Sequence, residues 1–84
     1  MRSKRVLRNI VEWIEDGGEI RVGPYAYSAR HMVAMALLGD NVCVGLSRRE
    51  DETVPQLLAR LDAAIGRWQD DEADIDEITD RSAR

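Results

Sequence analysis

At 84 residues, with 44% hydrophobic and 33% charged side chains, the chain has room for one modest core and is too apolar for general disorder. Its formal charge of −4 argues against nonspecific nucleic-acid binding, which requires net neutralisation of phosphates. A lone cysteine excludes an internal disulfide and a cysteine-based zinc cluster, and suits a reducing cytoplasm.

From the start of the chain, Val6, Leu7, Ile10, Val11 and Ile14 recur at helical spacing, with Arg8, Asn9, Glu12 and Glu15 on the other side. The pattern predicts an amphipathic helix stopped by Gly17 and Gly18. The basic start (Arg2, Lys4, Arg5, Arg8) lacks the continuous apolar region of a signal peptide, and reads as a solvated face or as partners for acidic residues further on. Glu19 to Val22 alternates like a strand, Gly23-Pro24 interrupts it, and Tyr25 to Ser28 resumes as an edge or bulged strand.

Val42, Val44 and Leu46 alternate with Cys43 and Gly45 and mark another strand. Gly39-Asp40-Asn41 has hairpin turn chemistry, which favours residues 30–38 as the preceding antiparallel strand. The competing reading is a short helix capped by Ser28, since Ala, Met and Leu all favour helices. The run Met32 to Leu38 is far too short to span a bilayer, so no membrane association is expected.

Ser47 to Glu52 forms a polar, self-compensated connection. Thr53-Val-Pro-Gln56 then spells a capping box with Pro55 in the first turn. Val54, Leu57, Leu58, Leu61, Ala64, Ile65 and Trp68 make one stripe, leaving Arg60, Asp62 and Arg67 to face water. The expected fold is therefore α+β: two amphipathic helices on a small antiparallel sheet, in the order α-β-β-β-α. Residues 1–69 form the compact domain, followed by an acidic segment over 70–84, partly ordered or disordered. With no Phe present, packing rests on Trp13, Trp68, Tyr25 and Tyr27, so pairing of aromatics or help from a partner matters.

No catalytic equipment is legible. His31 and Cys43 stand alone, and Cys43 is flanked by valines rather than set on a strained nucleophile turn. No phosphate-binding glycine loop is present, and neither metal nor cofactor is expected. The calcium-loop pattern, started at Asp70, fails because Ile75 stands where glycine is required and Arg81 where the bidentate Glu should be.

What remains is "DDEADIDEITD": Asp70, Asp71, Glu72, Asp74, Asp76, Glu77 and Asp80 put seven carboxylates into eleven residues. Such a block reads as a solvated tail or as a surface for a basic partner. Were it helical, it would carry a charge every ~2.4 Å, against one per ~1.7 Å along duplex DNA. Ile75 and Ile78 could dock it onto the body or into a partner. Tyr25 and Tyr27 alternate onto one face, either as interface anchors or packed against a helix.

One small domain, no enzyme signature and the segment "DDEADIDEITD" together resemble, in type and over the whole chain, the small phage-encoded anti-CRISPR proteins of Gram-negative hosts. The resemblance implies a non-enzymatic inhibitor that binds a basic surface of a CRISPR-Cas effector complex, by protein–protein contact, as a monomer or weak dimer. Its contacts would be the seven carboxylates with Tyr25 and Tyr27. Twelve Lys and Arg residues make occlusion of a protein surface a better mechanism than DNA mimicry, and no direct nucleic-acid binding is expected. The alternative is an antitoxin-like or regulatory module that neutralises a basic partner protein.

Overall fold

The computed structural model describes residues 7–25 and 28–78. Its elements run α1 (Arg8–Glu15), β1 (Glu19–Tyr25), β2 (Ser28–Leu38), β3 (Asn41–Ser47), α2 (Val54–Asp71) and β4 (Ile75–Asp76). The sheet order is β1-β2-β3-β4. Both hairpin pairings are antiparallel, and β4 joins β3 in parallel. The α+β class and element order agree with the sequence reading; the sheet is mixed rather than antiparallel because of β4.

Helix α1 buries Ile10 and Trp13, whereas Val11 and Ile14 are 46% and 53% exposed. The expected stripe is thus rotated, because an indole removes more apolar surface from water than Val and Ile at its margin. Trp13 stands edge-on to Trp68, with ring centroids 5.3 Å apart and planes at 80°. Its indole N–H donates to the Leu37 carbonyl at 3.1 Å, so the buried polar atom is satisfied. At the helix end, Gly17 has φ +100°; its N–H bonds the Ile14 carbonyl, and that of Gly18 bonds the Trp13 carbonyl. Those two bonds are the Schellman pattern.

The opposite end of α1 has no side-chain cap of its own, since Leu7 precedes it in a left-handed conformation. Helix α2 supplies one. Asp62, expected in water, accepts from the Ile10 N–H at 2.9 Å, and Asn9 donates to the Asp62 carbonyl and carboxylate at 3.0 and 3.3 Å. A carboxylate here satisfies an otherwise orphan donor and complements the positive end of the helix.

Strand β2 settles the ambiguity over residues 30–38 in favour of the hairpin, with Leu38 opposite Asn41 across the Gly39-Asp40 turn. Helix-favouring Ala and Met residues are strand here because β2 lies between two pairing partners, where packing overrides propensity. A register shift after Ala36 leaves Cys43 as an extra residue, and Cys43 and Val44 are both buried. Cys43 is thus a small hydrophobe of the core, between the valines that flank it in sequence.

Thr53 caps α2 as expected, with its hydroxyl receiving the Gln56 N–H at 3.2 Å and the Gln56 amide oxygen receiving the Thr53 N–H at 2.9 Å. Leu57, Leu61, Ala64 and Ile65 of α2 complete the core with Ile10, Trp13, Ala34, Ala36, Val44 and Leu46. After Glu72, in the left-handed conformation, the chain turns back, and Ile75 and Asp76 lie beside Val44 and Gly45. The boundary drawn between Gln69 and Asp70 therefore falls inside α2, and the segment up to Ile78 belongs to the fold.

Candidate interaction surface

The C-terminal segment is fastened to the body by one polar cluster. Ser47, at the end of β3, is itself buried, and its backbone N–H and C=O both turn away from β2. The Glu77 carboxylate accepts the N–H at 3.2 Å, and the Arg60 guanidinium donates to the C=O at 2.9 Å. Arg60 also grips both oxygens of Glu77, at 3.2 and 3.0 Å, and both of Glu52, at 3.0 and 2.7 Å. An ion pair here fills the place of a neighbouring strand's peptide group.

Arg60 was expected in water; instead it is the hub of this cluster, its side chain 22% exposed and that of Glu52 8%. Hydrogen bonds from Arg60 pull the Glu52 carboxyl down to about 2, and the same bonds raise Arg60. Arg49 donates its backbone N–H to Glu52 at 3.0 Å. The connection is thus compensated in part from within, through Arg49, while Glu52 is also committed to α2. Arg49, Glu50, Asp51, Glu52, Gln56 and Arg60 line a shallow open concavity there.

The candidate carboxylates fall into two sets. Asp74 accepts the Trp68 indole N–H at 3.0 Å and Glu77 is held by Arg60, so both serve the fold. Asp70, Asp71 and Glu72, at the end of α2, are exposed, and no ion pair joins them to another described residue. Asp76 is exposed on β4. The continuous helical ladder of charge considered from the sequence does not form, because α2 stops at Asp71 and a strand follows. Tyr25 closes β1, remote in the sheet order from β4, while Tyr27, Asp80, Arg2, Lys4 and Arg5 lie outside the described residues. Arg8 pairs with Glu12 of its own helix at 3.1 Å, not with the acidic segment.

Burial pushes the Cys43 thiol up, and the nearby charge of Asp74 adds to the shift. Among the described residues, no three His, Cys, Asp or Glu side chains gather as metal ligands, and no helix is long and apolar enough to cross a membrane. The chain matches no protein-family model, and neither curated proteins nor solved structures include a significant relative.

Three features of this surface escaped the sequence reading: Arg60, Asp62 and the strand at Ile75. Arg60 and Asp62 sit off the apolar stripe of α2, and their partners lie at least eight residues away. The one available signal was Ile75 and Ile78 within the acidic block, for which body and partner were both open; they lie against β3 of the body.

Proposed function

We propose that the chain is a non-enzymatic binding protein that sets its C-terminal carboxylates against a basic protein surface, and that its target is a bacterial CRISPR-Cas effector complex. The choice of target rests on the resemblance to phage-encoded anti-CRISPR inhibitors. The observation that supports binding through this surface is the position of Asp70 and Asp71. They occupy the last turn of α2, where no basic residue accompanies them, and Glu72 follows directly. Anions at the negative end of a helix dipole are unfavourable by about 0.3–1 kcal/mol each. A basic partner would relieve that repulsion.

The fold also holds the group in place: Trp68–Asp74 on one side and Arg60–Glu77 on the other tie down the chain that follows. Little conformational freedom is then lost on binding. Charge complementarity of this kind speeds association and discriminates among partners.

Replacing Asp70, Asp71 and Glu72 together (Asp70→Asn, Asp71→Asn, Glu72→Gln) should have opposite effects on stability and inhibition. The isolated protein should gain about 0.5–1 kcal/mol in urea unfolding. Stoichiometric inhibition of DNA cleavage by purified effector complexes should weaken, most visibly at low salt. Undiminished inhibition by the neutralised chain at every salt concentration would rule out this surface. Inhibition of none of a panel of effector complexes by the unmodified chain would rule out the target. Truncation at Gln69 is no substitute, since it also removes β4 and Glu77.

A further inference from the structure

We propose that the outer edge of β1 docks a second copy of this chain, strand against strand and antiparallel, across a two-fold axis at Ile20. The inference is independent of the acidic surface. It starts from which way the backbone groups point. The Arg48 N–H bonds the Met32 carbonyl, and Ser47 turns both its groups away from β2. Antiparallel alternation then makes Val33 and Met35 bond towards Gly23 and Arg21, their partners in β1. Ile20 and Val22 accordingly turn their N–H and C=O outward, at an edge where the sheet order places no further strand among the described residues. Pro24 is the next outward position and has no donor to offer, so it ends the usable edge.

The side chains along this edge suit a strand partner. Ile20 extends the cross-strand row Ile75–Val44–Ala36, and Val22, 40% exposed, lies beside Ala34 and Leu46. A second β1 would lengthen an apolar face that already exists. Val22 would then lose water contact.

Only three two-fold registers bring outward groups opposite outward groups along this stretch. An axis at Arg21 sets two arginines directly opposite each other, which is destabilising. An axis at Val22 sets Ile20 opposite Pro24, where a donor is missing, and Arg21 opposite Gly23, where no opposite charge meets it. An axis at Ile20 also lacks one donor, since Val22 then faces Gly18, whose N–H stays with the Trp13 carbonyl. It alone sets Glu19 opposite Arg21 of the second copy, and Arg21 opposite its Glu19. Glu19 and Arg21 are exposed and already attract each other within the strand at 2.7 Å. The same two residues therefore select the register and supply two cross-strand ion pairs.

Sedimentation equilibrium of three proteins tests this: the unmodified chain, Glu19→Arg and Arg21→Glu. The unmodified chain should approach twice its 9.5 kDa as concentration rises. Each variant alone opposes like charges at both crossing points, and its self-association should weaken roughly tenfold or more. An equimolar mixture of the two variants should recover a mixed dimer, since each then faces opposite charge. The substituted positions are exposed, and circular dichroism of each variant checks that the fold persists. The proposal is overturned by a chain that stays at 9.5 kDa throughout, by variants that dimerise unchanged, or by a mixture that does not recover association. Loss of association in Ile14→Asp but not in the charge variants would also overturn it, and would move the interface to α1.

Discussion

The two edges of the sheet solve the same problem in opposite ways. Every edge strand carries a row of backbone donors and acceptors that invites another strand. At the β3 side the invitation is closed: Ile75 and Asp76 pair with Val44 and Gly45, then Glu77 and Arg60 take up the N–H and C=O of Ser47. At the β1 side, no described strand covers the outward groups of Ile20 and Val22, and Pro24 and Gly18, whose N–H is spent on Trp13, limit the row. A two-residue strand is too short to hold by ladder bonds alone, so the closed edge depends on side-chain electrostatics. The open edge depends on nothing beyond its own hairpin. The folding of the closed edge is therefore sensitive to charge and pH, and the folding of the open edge is not.

Removing Arg60 should break this contrast most severely. Arg60→Met keeps much of the aliphatic stem but leaves the nearly buried Glu52 carboxylate without its partner, and Ser47 without its donor. Loss of one member of a buried pair costs about 3–5 kcal/mol. Because the Arg60 and Glu77 side chains are 22% and 35% exposed, about 2–3 kcal/mol is expected here. Urea unfolding gives the total, and hydrogen exchange gives its location. The Ser47 amide should lose protection, whereas the Arg21 and Gly23 amides should keep theirs. A loss below about 0.5 kcal/mol would mean that water screens the cluster as it does surface pairs.

Acid should loosen the same edge more gently. Glu52 titrates at about 2 in the folded chain against 4.5 for an unperturbed carboxyl. Its contribution is complete above pH 4.5 and is lost as pH falls towards 2, because the unfolded chain binds the proton first. Stability should thus rise with pH through this window. In Arg60→Met the rise should shrink, since the hydrogen bonds that lower Glu52 are gone. An equal rise in both proteins would assign it to other carboxylates.

The elements readable from sequence were those whose determinants are neighbours in the chain. Thr53 and Gln56 meet across a single turn, Gly17 and Gly18 stop the helix they follow, and Gly39-Asp40 joins adjacent strands. The closed edge was not readable, because Arg60 finds Glu77 seventeen residues away, and a strand of two residues has no period to detect. Helix α1 was readable, but its buried face was not, and for a different reason. Its apolar residues outnumber the positions the core can take, and Trp13, paired with Trp68, took the place expected for Val11 and Ile14. The candidate surface was half legible: the acidic block announced itself, but which carboxylates serve the fold depends on Trp68 and Arg60, and so on the tertiary structure.

The smallest effect expected is also the one that separates the two edges most cleanly. Arg21→Glu removes an ion pair with Glu19 whose members are 60% and 51% exposed, and places two acids one residue apart on the same face. Exposed pairs of this sort contribute little, and many contribute nothing measurable. In dilute solution, where the chain is single, urea unfolding should therefore stay within the error of the measurement. A larger shift would show that β1 needs its charges to fold, as the opposite edge needs Arg60. A shift within that limit, alongside weakened self-association, would mean that Glu19 and Arg21 act between chains rather than within one.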